Sequence, residues 1–230
     1  MSENEETTHS ATRNRLLQAA LQAFGSRDYD GVSTREIVEA AEANISAISY
    51  HFGGKRGLYL ATVDFLAEKL QSGMNDQLEQ IRQTAEETPP DRSATLICDF
   101  LLHFLEHILL GEMGKHAPGI IFREQNQPTE AFNILYEKLL APMHHTLALL
   151  VARYRGQQAS DPASIIMAHA LIGQTVIFRI GRTMLLRRLN LSAYSTANIE
   201  TLKNQLRRNY LALLNSPPDP TETDIRHHAE

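Results

Sequence analysis

The 230-residue sequence holds a single cysteine, Cys98, set between Ile97 and Asp99 in an otherwise apolar run. One thiol cannot staple its own chain, so no disulfide framework is available and a reducing compartment is the simplest setting. The first ten residues, Met1 to Ser10, are polar and acidic and lack the apolar stretch of a secretory leader. Long hydrophobic runs are also scarce. In the C-terminal half the longest segment free of Asp, Glu, Lys and Arg is Pro162 to Phe178, and Ser164, His169, Gln174 and Thr175 interrupt it. A buried helix therefore fits it better than a membrane span, and no membrane partner is expected. Strand-like alternation with hairpin turn signals is missing. Basic residues are in deficit, with 22 Lys and Arg against 27 Asp and Glu for a net charge of −5. That balance excludes a protein that coats nucleic acid through bulk positive charge.

What is present is helical periodicity and one local basic island. Apolar residues are 43% of the chain and recur at spacings of three and four, giving an all-α fold. Between Ala43 and Val63 there is no Asp or Glu, while His51, Lys55 and Arg56 fall inside that window. Glu36, Glu39 and Glu42 precede it.

A first helix is predicted over about 10–26, with Leu16, Leu17, Ala20, Leu21 and Phe24 on one stripe and Asp28-Tyr29-Asp30-Gly31 as the turn behind it. Ser33 starts a second short helix, with Glu36 placed to complete a capping box. Asn44 or Ser46 can cap a third, whose inward residues are Ile45 and Ile48 and which Phe52-Gly53-Gly54 stops. A long helix over 55–84 then carries Leu58, Ala61, Phe65, Leu70, Met74, Leu78 and Ile81. Pro89-Pro90 lies in a loop, and further helices are expected at 93–111, 116–125, 128–155, 162–189 and 196–214. Asp161-Pro162 is a start signal for the fourth of these. The proline-containing tail from Ser216 is expected to be disordered, as is the N-terminus over 1–9. The domain reading is thus a headpiece over 10–55 and a helical body over 56–215.

Three short helices with a tight turn between the second and third form a helix-turn-helix layout. The small core is Leu17, Leu21, Phe24, Val32, Ile37, Ala41, Ile48 and Phe52. That leaves Asn44, Ser46, Ala47, Ser49, Tyr50 and His51 exposed on the third helix, a set of short or donor-rich side chains suited to lying against base edges. Thr34 and Arg35 open the second helix and Lys55 the fourth, where they read as backbone-positioning groups on double-stranded DNA. In the body, His103 and His107 stand four apart, a metal-compatible spacing to which His144 or His145 could add. No hydrolytic zinc motif and no Gly-x-Ser-x-Gly elbow occurs, and neither a metal, a cofactor nor an enzymatic activity is expected. Arg123 and Glu124 interrupt an apolar segment, as an internal ion pair or as an effector anchor. Phe104, Phe132, Tyr136, Gln174 and Phe178 are either core or the lining of a pocket, with His103 and His107 beside them. The segment 162–189 is apolar nearly all round, so Ile165, Ile172, Gly173, Val176 and Ile180, with Leu206 and Tyr210 of the last helix, are expected at a homodimer interface.

The blocks Ser33-Thr34-Arg35-Glu36-Ile37 and Asn44-Ile45-Ser46-Ala47-Ile48-Ser49-Tyr50-His51-Phe52-Gly53-Gly54-Lys55-Arg56-Gly57-Leu58-Tyr59 resemble the TetR family of transcriptional regulators. One departure is Glu42-Ala43 where the family usually has glycine in the turn, which requires an unfavourable backbone or a reshaped turn. Phe122-Arg123-Glu124-Gln125, Pro128-Thr129-Glu130-Ala131-Phe132, Pro142-Met143-His144 and His169 to Arg179 are similar to the CecR-like subgroup. The resemblance implies a cytoplasmic, dimeric repressor on a palindromic operator, released by a small-molecule effector. The alternative is a DNA-binding adaptor that recruits a protein partner and has no effector pocket.

Overall fold

A computed structural model describes residues 3–85, 87–111 and 115–217, with side chains from residue 9 onward. Among these residues the secondary structure is helical, without a strand. The expected tail beyond residue 217 lies outside the described residues.

The helices are α1 (Glu3–Ser26), α2 (Thr34–Ala40), α3 (Ile45–Phe52), α4 (Lys55–Ser72), α5 (Asn75–Thr84), α6 (Pro90–Leu110), α7 (Ala117–Asn126), α8 (Glu130–Leu135), α9 (Ala141–Arg155), α10 (Pro162–Ile180), α11 (Arg182–Arg188) and α12 (Thr196–Leu214). A π-helical turn, Tyr136–Leu140, separates α8 from α9. Three of the expected helices are divided, each at an identifiable residue. The helix over 55–84 breaks at Gly73-Met74, where a Cβ on Gly73 would stand 2.7 Å from the His107 ring. The helix over 128–155 passes through the π turn just before Pro142, which has no N–H to donate back to a helical carbonyl. Gly181 separates α10 from α11. At the N-terminus α1 begins at Glu3, ahead of the expected start near Ser10.

The chain divides into two compact units, one of residues 1–72 with 112–140 and one of 73–111 with 141–230. The first unit holds α1 to α4 with α7, α8 and the π turn. Its core begins with the expected α1 stripe, Leu16, Leu17, Ala20, Leu21 and Phe24, all buried. Val32, Ile37, Ala41 and Ile48 join it, and Phe52 is half-buried at its edge. On α4 the buried face is Leu58, Tyr59, Thr62, Val63, Leu66, Ala67 and Leu70, so Ala61 and Phe65 sit on its flank. The face is rotated from the expected one because two polar residues are satisfied inside. The Thr62 hydroxyl donates to Leu58 O at 2.7 Å, and the Tyr59 hydroxyl to the buried Glu124 at 2.6 Å.

Two close approaches fasten α7 to α1. A Cβ on Gly119 would lie 2.0 Å from Gly25 O, so the backbones touch where both residues are glycine. One turn later, Arg123 donates to Phe24 O (3.1 Å), Arg27 O (2.7 Å) and the Asp28 carboxylate (3.0 Å). It thereby satisfies carbonyls that the end of α1 would otherwise leave unpaired.

The second unit packs α6, α9, α10 and α12 around Ile97, Phe100, Leu101, Leu105, Leu147, Leu150, Leu171, Leu206 and Tyr210. By length and composition alone α6 and α10 could each cross a bilayer, a test that the core helix of a folded domain also passes. Half of the apolar stretch of α6 is buried inside this unit. Its α10 leaves Ile165, Ile166, Ile177 and Ile180 exposed, and α11 adds Met184.

Candidate nucleic-acid interface

The turn between α2 and α3 is where the sequence departs from glycine. Glu42 adopts φ +50°, the left-handed region, so the chain makes the turn and bears the strain. Each flanking helix has its expected cap. Ser33 Oγ accepts from Glu36 N at 3.2 Å, although the Glu36 carboxylate pairs with Arg27 and does not return to Ser33. The capping box is therefore half formed. Asn44 Oδ1 accepts from Ser46 N and from Ser46 Oγ, both at 3.0 Å, which starts α3 and orients its first polar side chain. Gly53, at φ +71°, ends it.

On α3 only Ile48 is buried. Asn44, Ser46 and Ser49 are exposed, Ala47 and His51 are half-buried, and Tyr50 is 74% exposed. Ile45, expected to face inward, is 53% exposed and so joins the outward set. It adds an apolar contact that could meet a thymine methyl. Thr34 is the first residue of α2 and half-buried, and the exposed Arg35 pairs with Glu39 at 3.1 Å. Lys55 lies with Nζ 4.4 Å from the centre of the Tyr29 ring, and Arg56 pairs with Glu130.

Two residues outside the expected set complete this surface. The His9 ring stands edge-on to Tyr50, 5.3 Å between centroids, and 4.2 Å from His51. Arg13, one turn further along α1, lies 5.5 Å over the Phe52 ring. Burial, then His9 and Arg13, hold the His51 imidazole below its ordinary value. The i, i+4 spacing of His9 and Arg13 was the available signal, hidden by reading residues 1–9 as flexible.

The expected effector residues are divided between the two units. Arg123, Phe132 and Tyr136 belong to the first, and His103, Phe104, His107, Gln174 and Phe178 to the second. Within the first unit, Arg123 lines a cleft of about 890 Å³ with Asp28, Tyr29, Asp30, Arg56, Tyr59, Leu60, Phe122 and the segment 126–130. Its guanidinium is engaged by α1, which makes it a helix clasp in this state. Phe132 and Tyr136 stack on each other, 6.1 Å between centroids, outside that cleft. In the second unit Phe104 is core, His103 is exposed, and Phe178 is half-buried with its carbonyl accepting from the Tyr194 hydroxyl. Gln174 Oε1 and His107 Nε2 are buried without a hydrogen-bond partner among the described residues. The His107 imidazole is held low by burial and by His103. His144 lies beside His169, 5.7 Å between ring centroids, and burial lowers it first.

Of the residues expected at a homodimer interface, Leu206 and Tyr210 are instead completely buried in the core of the chain itself, the Tyr210 hydroxyl lying 2.7 Å from Thr175 Oγ1, and present no surface. Burial raises the Tyr210 phenol to about 12, and it stays neutral. Ile165 and Ile180 are exposed, Ile172 and Val176 half-buried, and a Cβ on Gly173 would meet open space.

A buried three-helix headpiece presenting an outward, polar third helix is a helix-turn-helix DNA-binding module. Residues 16–62 match the family of bacterial regulatory proteins designated tetR, and residues 95–216 match the C-terminal domain of the HTH-type transcriptional dual regulator CecR. The HTH-type transcriptional dual regulator CecR of Shigella flexneri is 32% identical over 193 residues, which are 83% of this chain and 85% of that protein. The chain belongs to the TetR family of bacterial transcriptional regulators, in its CecR-like branch. Solved structures of transcriptional regulators agree in fold. A TetR-family regulator from Mesorhizobium loti has a TM-score of 0.58 at 22% identity, covering 89% of this chain and 97% of its own. A transcriptional regulator from Rhodococcus has 0.59 at 17%, covering 90% and 99%.

Proposed function

We propose that the protein is a cytoplasmic, dimeric repressor that binds a palindromic operator through α3 and is released by a small molecule. The observation that carries this reading is the exposed surface of α3, where Asn44, Ser46, Ser49 and Tyr50 project from a headpiece whose inward residues are fully packed. Short polar side chains let the helix approach base edges closely. Blocking a promoter needs only occupancy, so repression is the mode proposed. A two-fold dimer matches two half-sites about one helical turn apart, or a multiple of it. The exposed isoleucines of α10 support that dimer.

The cleft beside Arg123 is the proposed effector site. Its volume suits a drug-sized molecule. Its walls include the α1–α2 turn and the start of α4, so an occupant would touch elements that hold α3. A ligand acts only if it binds the DNA-free arrangement more tightly than the DNA-bound one. The test is selection of bound sequences from random duplex DNA at about 0.1 M salt, because phosphate contacts make affinity fall steeply with salt. A recovered palindrome supports the repressor. No enrichment by folded, dimeric protein would sink it.

A further inference from the structure

We propose that the N-terminal turns of α1 are part of the DNA contact: His9 and Arg13 join Tyr50 and His51 in one phosphate-binding cluster, and the His51 imidazole takes up a proton when DNA docks. The proposal rests on α3 being the DNA-facing helix, as argued above.

The geometry is that of a cationic cluster built across two helices. His9 and Arg13 stand one turn apart on α1, and His51 and the exposed Tyr50 on α3 meet them. The two imidazole centroids are 4.2 Å apart, and His9 also touches the edge of Tyr50. His9, Arg13 and Tyr50 are exposed, and His51 half-buried, so the cluster opens to solvent beside the base-reading residues Ser46 and Ser49.

In the free protein two protonated imidazoles at this separation repel each other, and Arg13 adds a third positive charge. Burial first, and then His9 and Arg13, hold the His51 imidazole below its ordinary value in the free protein. The groups on neighbouring elements do not relieve this. On α2, Glu39 is paired with Arg35 and Glu36 with Arg27. On α4, Lys55 lies over Tyr29. Along α1 the nearest acidic positions in the sequence are Glu5 and Glu6, a turn before His9. A phosphodiester placed against the cluster reverses the local potential and favours the charged imidazole.

The sign follows by linkage. His51 is depressed in the free protein and raised by the phosphate, so the bound state holds more protons across the interval between the two values. Binding then tightens as pH falls through that interval. Above it both states are neutral, below it both are charged, and the dependence levels off at each end.

The experiment is fluorescence anisotropy of a labelled random-sequence duplex with the full-length protein, at fixed ionic strength from pH 6 to 8.5, for wild type, His51→Gln and Arg13→Gln. Wild type is expected to bind about tenfold more tightly at pH 6 than at pH 7.5, for an average uptake of about two-thirds of a proton across that interval. His51→Gln should flatten that slope. Arg13→Gln should weaken binding at every pH and reduce the salt slope by about one. A pH slope equal in wild type and His51→Gln, a flat wild-type profile, or an Arg13→Gln protein that binds with unchanged affinity and salt slope overturns the proposal and leaves the repressor reading standing. No duplex binding at any pH by folded protein overturns both.

Discussion

Glu42 occupies backbone space that glycine enters freely and a side chain enters at a cost, with φ +50° in the turn that aims α3. Turn and helix caps hold it there: Ala43 N donates to Val38 O at 2.9 Å, and Asn44 caps the next helix. Replacing Glu42 with glycine removes the strain and stabilises the fold by about 1 kcal/mol, less the extra freedom of the unfolded chain. Urea denaturation would show a higher midpoint at unchanged slope, and a lower midpoint would mean the turn is relaxed as it stands. This position was readable in advance, because a missing glycine in a tight turn has one conformational consequence. The caps at Ser33 and Asn44 were equally readable from residue type. Ile45 was not. In an eight-residue helix the apolar stripe is too short to distinguish one face from its neighbour, and Ile48 alone closes the core. Tyr59 and Thr62 escaped for another reason: their burial depends on partners, Glu124 and the Leu58 carbonyl, that hydropathy does not register.

Among the helices, periodicity located every helical segment and misplaced the breaks. Gly73, Pro142 and Gly181 interrupt runs whose apolar spacing continues across them, so the pattern reads through the interruption. The α1–α7 junction was likewise invisible, since it depends on residues without side chains. Gly25 and Gly119 let the two backbones meet, and Arg123 then reaches the end of α1. A methyl group at residue 119 would stand 2.0 Å from a carbonyl oxygen that belongs to a packed helix and cannot swing aside. Gly119→Ala should therefore force α7 off α1, strain the Arg123 contacts, and destabilise the protein by about 3 kcal/mol. The check is chemical denaturation with a parallel DNA titration. Unchanged stability would mean that α7 can slide along α1 without loss.

For the assembled protein, the composition of α10 and α11 poses the largest unsolved burial problem. Ile165, Ile166, Ile177, Ile180 and Met184 are exposed, and each isoleucine, already about half covered, gains roughly 1 kcal/mol when the rest is buried. Scattered apolar residues need no cover, but these recur along one pair of consecutive helices. In the proposed dimer a second copy of the chain would provide identical residues for a two-fold contact. The sequence marked this stretch as apolar nearly all round, while assigning Leu206 and Tyr210 to the same contact. Which apolar residues a helix spends on its own core cannot be told from their hydrophobicity alone, and those two are spent internally. Substituting Ile177 with arginine tests the dimer without touching the core, since its side chain is exposed. A buried, unpaired guanidinium at a two-fold contact appears twice and should convert dimer to monomer. Sedimentation would show the halved mass, with the helical signal retained. Binding to a palindrome should then fall by at least tenfold, while binding to a single half-site stays near that of a wild-type protomer, because only the linkage between headpieces is lost. A variant that remains dimeric and binds as before would place the subunit contact elsewhere on the chain.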